Sequence, residues 1–110
     1  MLSNTRFQEN IDVCNECASF CDQCASACLK EIDVAELAKC IEMNMYCAEI
    51  CRSAASFMSK GDKFAQEICS ICAEICDNCA EECSKHNYKH CKDCAEACRR
   101  CATACRQMAA

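Results

Sequence analysis

The sequence predicts an all-α protein, an antiparallel up-down-up-down four-helix bundle with a cysteine-lined core. Three observations carry that expectation. Cysteines recur at gaps of three and four residues in four successive segments, which places one residue type along a single seam of each helix. The 110 residues contain no proline and one glycine, leaving little material for sheets, hairpins or flexible linkers. Connections of about two to four residues join the helical patterns, and links that short force neighbouring helices to be antiparallel. One domain over residues 1–110 is expected.

The first helix is expected to open at Ser3 or Asn4 and run to about Glu31, with Cys14, Cys17, Cys21, Cys24 and Cys28 on its seam. Asp33 is an N-cap for the second helix, with Glu36 as its capping-box partner. That helix reaches about Ser59 and carries the weakest seam: Leu37, Cys40, Asn44, Cys47 and Cys51. Lys60 lies near its end, and Gly61, the only glycine, takes the C′ position. Asp62 then caps the third helix, which runs to about Lys85 with Cys69, Cys72, Cys76, Cys79 and Cys83 in line. Asn87 caps the fourth, from Tyr88 to near Met108, whose seam is Cys91, Cys94, Cys98, Cys101 and Cys105.

The segments VCNECASFCDQCASAC, ICSICAEICDNCAEEC and HCKDCAEACRRCATAC align without a gap, so they are internal copies. Alanine often flanks the thiols, as at Ala18, Ala25, Ala48, Ala73, Ala80, Ala95 and Ala102, which lets helices approach closely. Larger apolar residues lie about 80–100° off the cysteine face. These are Tyr46, Ile50 and Phe57 on the second helix and Phe64, Ile71 and Ile75 on the third. Counting outward from Gly61 pairs Phe57 with Phe64 and Ile50 with Ile71, packing within one hairpin; a contact between subunits is the other reading.

Composition excludes several classes. The formal charge of −5 and the absence of a basic stripe argue against nucleic acid. No apolar run is long enough to span a bilayer. The opening MLSNTRFQEN begins with Met and lacks the layout of a secretory signal, so a cytosolic product is expected. No nucleophile–base pair, phosphate loop or open tetrahedral site appears, and the expectation is a binding protein rather than an enzyme.

Eighteen cysteines in so short a chain would ordinarily indicate a secreted disulfide scaffold. Here they sit in periodic helices, spaced by a helical face rather than by loop closure, and without an export signal. Nor are they an ordinary core, because cysteine at nearly every a/d position is expected to leave a bundle under-packed. Thiolates select Cu(I), Zn(II) or iron–sulfur clusters. The C-x3-C-x2-C triplets at Cys17, Cys21, Cys24 and at Cys72, Cys76, Cys79 are by-products of the heptad, and the ferredoxin run ending in proline is absent. Each Cu(I) that displaces one thiol proton leaves the core's charge unchanged. Isolated four-thiolate Zn(II) sites would each bury negative charge, which is costly. Multiple Cu(I) ions are therefore the favoured cargo, with zinc or general heavy-metal sequestration as the alternative. Pairs one turn apart suit a two-coordinate ion: Cys17/Cys21, Cys24/Cys28, Cys47/Cys51, Cys72/Cys76, Cys79/Cys83, Cys94/Cys98 and Cys101/Cys105.

Four cysteine-seamed helices with repeated C-x3-C pairs resemble the bacterial copper storage proteins across nearly the whole chain. The resemblance implies many Cu(I) ions held by paired and bridging cysteines, bundles assembled into tetramers, and membership of the cytosolic branch. A cytosolic copper chaperone is a candidate partner, and the sequence does not identify the donor. Leu37 and Asn44 depart from a full cysteine seam, so fewer ions are expected near the second helix.

The bundle ends carry other donors. His86 and His90 lie at the end holding Cys28, Cys40, Cys83 and Cys91, while Met58 and Met108 extend two seams at the opposite end. Each is a candidate ligand, against the plainer reading of a surface cap for His and a core filler for Met. Ala54 and Ala65 interrupt the ladder at the Met end, so the His end is the expected way in.

Overall fold

The computed structural model describes residues 2–110, with side chains from residue 7 onward. Four helices, α1 (Leu2–Cys28), α2 (Ala38–Ser59), α3 (Ala65–Ser84) and α4 (Lys89–Ala109), form a rod 49 × 18 × 17 Å. α1 packs against α2 and α4, and α3 against α2 and α4, so the four occupy the corners of a square. The expected up-down-up-down bundle is the observed fold.

The heptad seams become the core without exception. All eighteen cysteines are at most 1% exposed. Around them Ala18, Ala48, Ala73, Ala80, Ala95 and Ala102 are buried, and these small side chains let the helices come together. The expected under-packing is corrected by that approach: sulfurs from facing helices meet at 3.6–4.0 Å along most of the rod, which is van der Waals contact. Leu37 and Met58 are the largest apolar side chains fully enclosed with them.

The helix starts differ from expectation. A short 3-10 turn, Val34–Leu37, precedes α2, so that helix opens at Ala38 with Leu37 as N-cap. The Asp33 carboxylate makes no cap bond; it accepts the Tyr88 hydroxyl at 2.6 Å instead. Asp62 contributes its backbone carbonyl to Ala65 N–H, and Phe64 stands at the N-cap of α3. Tyr88, in extended conformation, replaces Asn87 as the N-cap of α4. The side chains of Ser3 and Asn4 lie outside the described residues. Gly61 does follow α2 as expected, with φ +126°, a conformation that side chains disfavour.

Phe57 and Phe64 meet edge to face at 6.2 Å across the α2/α3 turn, with Lys60 and Lys63 over their outer ring faces. This is the hairpin pairing expected from the sequence. Tyr46 and Ile71 remain exposed on the flanks of α2 and α3.

Candidate metal centre

Sulfur contacts run the length of the core. Cys14, Cys72, Cys101 and Cys105 bring their Sγ atoms within 4.8 Å of one another. Cys101 also belongs to a second such group, with Cys17, Cys51 and Cys76. Cys17 in turn joins Cys21, Cys47 and Cys98, and the last group's Cys21 and Cys98 gather with Cys79 and Cys94. Cys24, Cys28, Cys40 and Cys91 form a further group beneath the histidines. The first four groups share members and overlap in one network, and the group beneath the histidines joins it through Cys40 to Cys83 and from Cys83 to Cys79 at 3.9 Å. Cys40 and Cys83 approach most tightly, at 3.3 Å between α2 and α3. All eighteen are free thiols.

Each end closes with a different chemistry. Cys69 donates to Met58 Sδ at 3.7 Å, and Met108 is buried at that same end. At the other end His90 Nδ1 lies 3.6 Å from Cys24 Sγ, 3.8 Å from Cys28 Sγ and 3.6 Å from Cys91 Sγ. Its Nε2 meets Glu31 Oε2 at 3.0 Å. His86, in the turn after α3, faces elsewhere: its Nε2 is 3.1 Å from Oε2 of Glu82 in the last turn of that helix. The structure thus brings His90, not His86, against the thiols.

The copper storage protein family matches this chain over residues 3–110. The chain belongs to the copper storage protein family. The Cu(I)-bound copper storage protein BsCsp3 superposes with a TM-score of 0.91 at 41% identity, covering 96% of this chain and 99% of that one. A cytosolic copper storage protein from Streptomyces lividans, solved during copper loading with five coppers, gives 0.93 at 36% identity over 98% and 95%. The uncharacterized cysteine-rich protein YhjQ of Bacillus subtilis (strain 168) is 43% identical over 62 residues, 56% of this chain and just over half of that protein, 57%.

Thiols of this copper storage protein do not ionise alike. At the His end, bonds from the neighbouring Cys40 and Cys83 thiols hold Cys24 down at about 6, with His90 adding to them against burial. Burial pushes Cys28 up to about 12, with the nearby Cys24 and Cys40 charges adding to it. Cys40 is raised to about 11, chiefly by Cys24. Deeper in, hydrogen bonding to Cys17 raises Cys98 and hydrogen bonding to Cys105 raises Cys101. Cys17 and Cys72, also deep in the core, are lowered, chiefly by bonds from Cys101, so thiols ready to ionise and thiols that keep their protons until a metal displaces them alternate along the network.

Asn44 is the one non-sulfur polar group inside the network, 1% exposed. Its Oδ1 accepts from Cys94 at 3.2 Å, Cys79 at 3.3 Å and Cys83 at 3.5 Å, and its Nδ2 donates to Cys40 at 3.8 Å. Its seam position was legible in the sequence, but its bonds to four thiols of three helices were not foreseeable from spacing along α2. Glu31 and Tyr88, the partners of His90, escaped sequence reasoning because they lie at turns and obey no seam periodicity.

Proposed function

We propose that this chain stores and buffers Cu(I) in the cytosol, taking many ions into the sulfur network of its single bundle domain. One observation carries the reading: four-thiol groups, joined by shared members or by sulfur contacts such as Cys40–Cys83, form a continuous path along the rod. Two- or three-coordinate Cu(I) can occupy such a path with bridging thiolates, and each ion that replaces a proton adds no net charge. Family membership and the copper-loaded relatives support the same cargo. The ligand set is Cys14, Cys17, Cys21, Cys24, Cys28, Cys40, Cys47, Cys51, Cys69, Cys72, Cys76, Cys79, Cys83, Cys91, Cys94, Cys98, Cys101 and Cys105, with His90 at one mouth and Met58 and Met108 at the other. His86 belongs to the set only if it leaves Glu82 for an incoming ion.

The chain acts as a binding protein without catalytic turnover, loaded by a cytosolic copper chaperone. It assembles as a homo-oligomer, a tetramer by family resemblance, and exposed Tyr46 and Ile71 give α2 and α3 an apolar flank for that contact. Anaerobic titration of the reduced protein with Cu(I), alongside Zn(II), tests the cargo. Many Cu(I) ions retained against a tight competing chelator, with far fewer Zn(II), is the expected result. Equal retention of zinc would assign a general heavy-metal sink.

A further inference from the structure

Besides the thiols, two side chains hold His90, and a third steadies one of them. Glu31 Oε2 takes its Nε2 at 3.0 Å, from the turn after α1. The Tyr88 ring stacks on the imidazole, centroids 5.3 Å apart and planes 9° from parallel. The Tyr88 hydroxyl is tied to Asp33 Oδ1 at 2.6 Å, on the same turn as Glu31. That turn is itself pinned by the Glu31 N–H on the Cys28 carbonyl at 3.1 Å. The clamp therefore joins the α1–α2 connection to the start of α4, directly over Cys24, Cys28 and Cys91.

We propose that Glu31 and the Tyr88–Asp33 pair are positioning residues that fix His90 in the tautomer with its proton on Nε2, so that Nδ1 presents a bare lone pair to Cu(I) above Cys24, Cys28 and Cys91. A carboxylate accepts hydrogen bonds and cannot donate, so the nitrogen facing it must carry hydrogen. In neutral imidazole the other nitrogen is then unprotonated. Nδ1 is the atom within 3.8 Å of three thiols, so the free lone pair faces the sulfur network and not solvent. Stacking on Tyr88 resists rotation of the ring, and the Asp33 bond resists rotation of Tyr88. Partners of this kind raise the basicity and orientation of a histidine ligand, and their removal ordinarily costs about tenfold to a hundredfold. Without them His90 would divide between tautomers and orientations, only some of which can pass an ion inward. The proposal rests on the Cu(I)-storage function proposed for this chain.

The test uses the full-length reduced protein and three variants: Glu31→Ala, Glu31→Gln and Tyr88→Leu. Loading rate with a Cu(I)–chelator donor, final capacity, and the ring 15N shifts of His90 in the copper-free protein are measured for each. The Glu31→Ala variant should load about tenfold more slowly, reach wild-type capacity, and show His90 shifts moving toward a tautomer mixture. Glutamine keeps a carbonyl oxygen for Nε2–H, so Glu31→Gln should retain both the shifts and a rate within about twofold of wild type. Tyr88→Leu should keep the tautomer and slow loading through loss of ring alignment. Wild-type rate in Glu31→Ala, unchanged His90 shifts in a slowed Glu31→Ala, or a Glu31→Gln as slow as Ala each overturns the assignment. If Glu31→Ala does not fold, the 15N shifts of wild type alone decide: a proton on Nδ1 overturns it. Failure of wild type to take up many ions would instead remove the storage function, a result separate from every variant comparison.

Discussion

Cys47 Sγ on α2 lies 3.8 Å from Cys98 Sγ on α4, across the diagonal of the bundle. Cys51 and Cys101 repeat that relationship one turn further on, also at 3.8 Å. Thiols from opposite corners therefore touch on the bundle axis. Cys47 also contacts Cys17 at 4.0 Å and Cys76 at 3.6 Å, so the thiols of all four helices meet around one residue. Ions placed there are shared between helices as a matter of geometry.

Shared ligands set the expected stoichiometry. Saturation should approach one Cu(I) per thiol, eighteen in all. Titration under a tight competing chelator measures it directly. A plateau at only four or five ions would mean isolated four-thiolate sites.

The copper-free reduced protein should already be helical. Its core is closed by sulfur contacts and buried alanines that require no metal, and its seams are amphipathic in the sense that drives bundle formation. Far-ultraviolet circular dichroism should show mostly helix before copper and little change after it. A coil that folds only on copper addition would defeat the expectation.

How much of this was legible beforehand follows from the physics of each feature. The helices and seams repeat, so Cys69 to Cys83 could be placed on one face from spacing alone. The Phe57–Phe64 pair was accessible for the same reason, by counting from Gly61. The N-caps were not: Asp33 carries a good capping signature, yet Tyr88, distant in sequence, takes its carboxylate. The two histidines were distinguishable only in three dimensions. His86, just past α3, turns back to Glu82 in that helix's last turn, whereas His90 reaches Cys24 and Cys28 on α1.

Asn44 should matter to the copper-free state more than its single position suggests. Its amide oxygen is the acceptor for Cys79, Cys83 and Cys94, and a buried donor that loses its acceptor costs about 1–3 kcal/mol. Thiols are weak donors, so Asn44→Leu should destabilise the reduced apo protein by about 1–2 kcal/mol, near the low end of that range. Denaturant unfolding under reducing conditions checks it. An unchanged midpoint would show that these thiols find other partners at no cost.

The two ends should respond differently to acid. Burial opposes protonation of His90, but Cys24 and Glu31 outweigh it and raise its pKa above the usual 6.5. Below that raised value the ring carries both protons and Nδ1 has no lone pair for copper. Loading through the His end should therefore slow as pH falls, beginning above 6.5, and recover as pH rises. The thioethers of Met58 and Met108 carry no proton and give no such dependence. Replacing both histidines, His86→Phe with His90→Phe, should slow loading, remove the part of the pH dependence set by His90 while leaving that of the thiols, and leave final capacity nearly unchanged. His90→Phe alone should account for most of the effect, because His86 faces Glu82. Met58→Leu with Met108→Leu should load at close to the native rate, since Ala54 and Ala65 leave that end without a continuous run of sulfur. Stopped-flow loading between about pH 5 and 8 separates the two. Native rates in the His variants together with slow loading in the Met variants would place the way in at the opposite mouth.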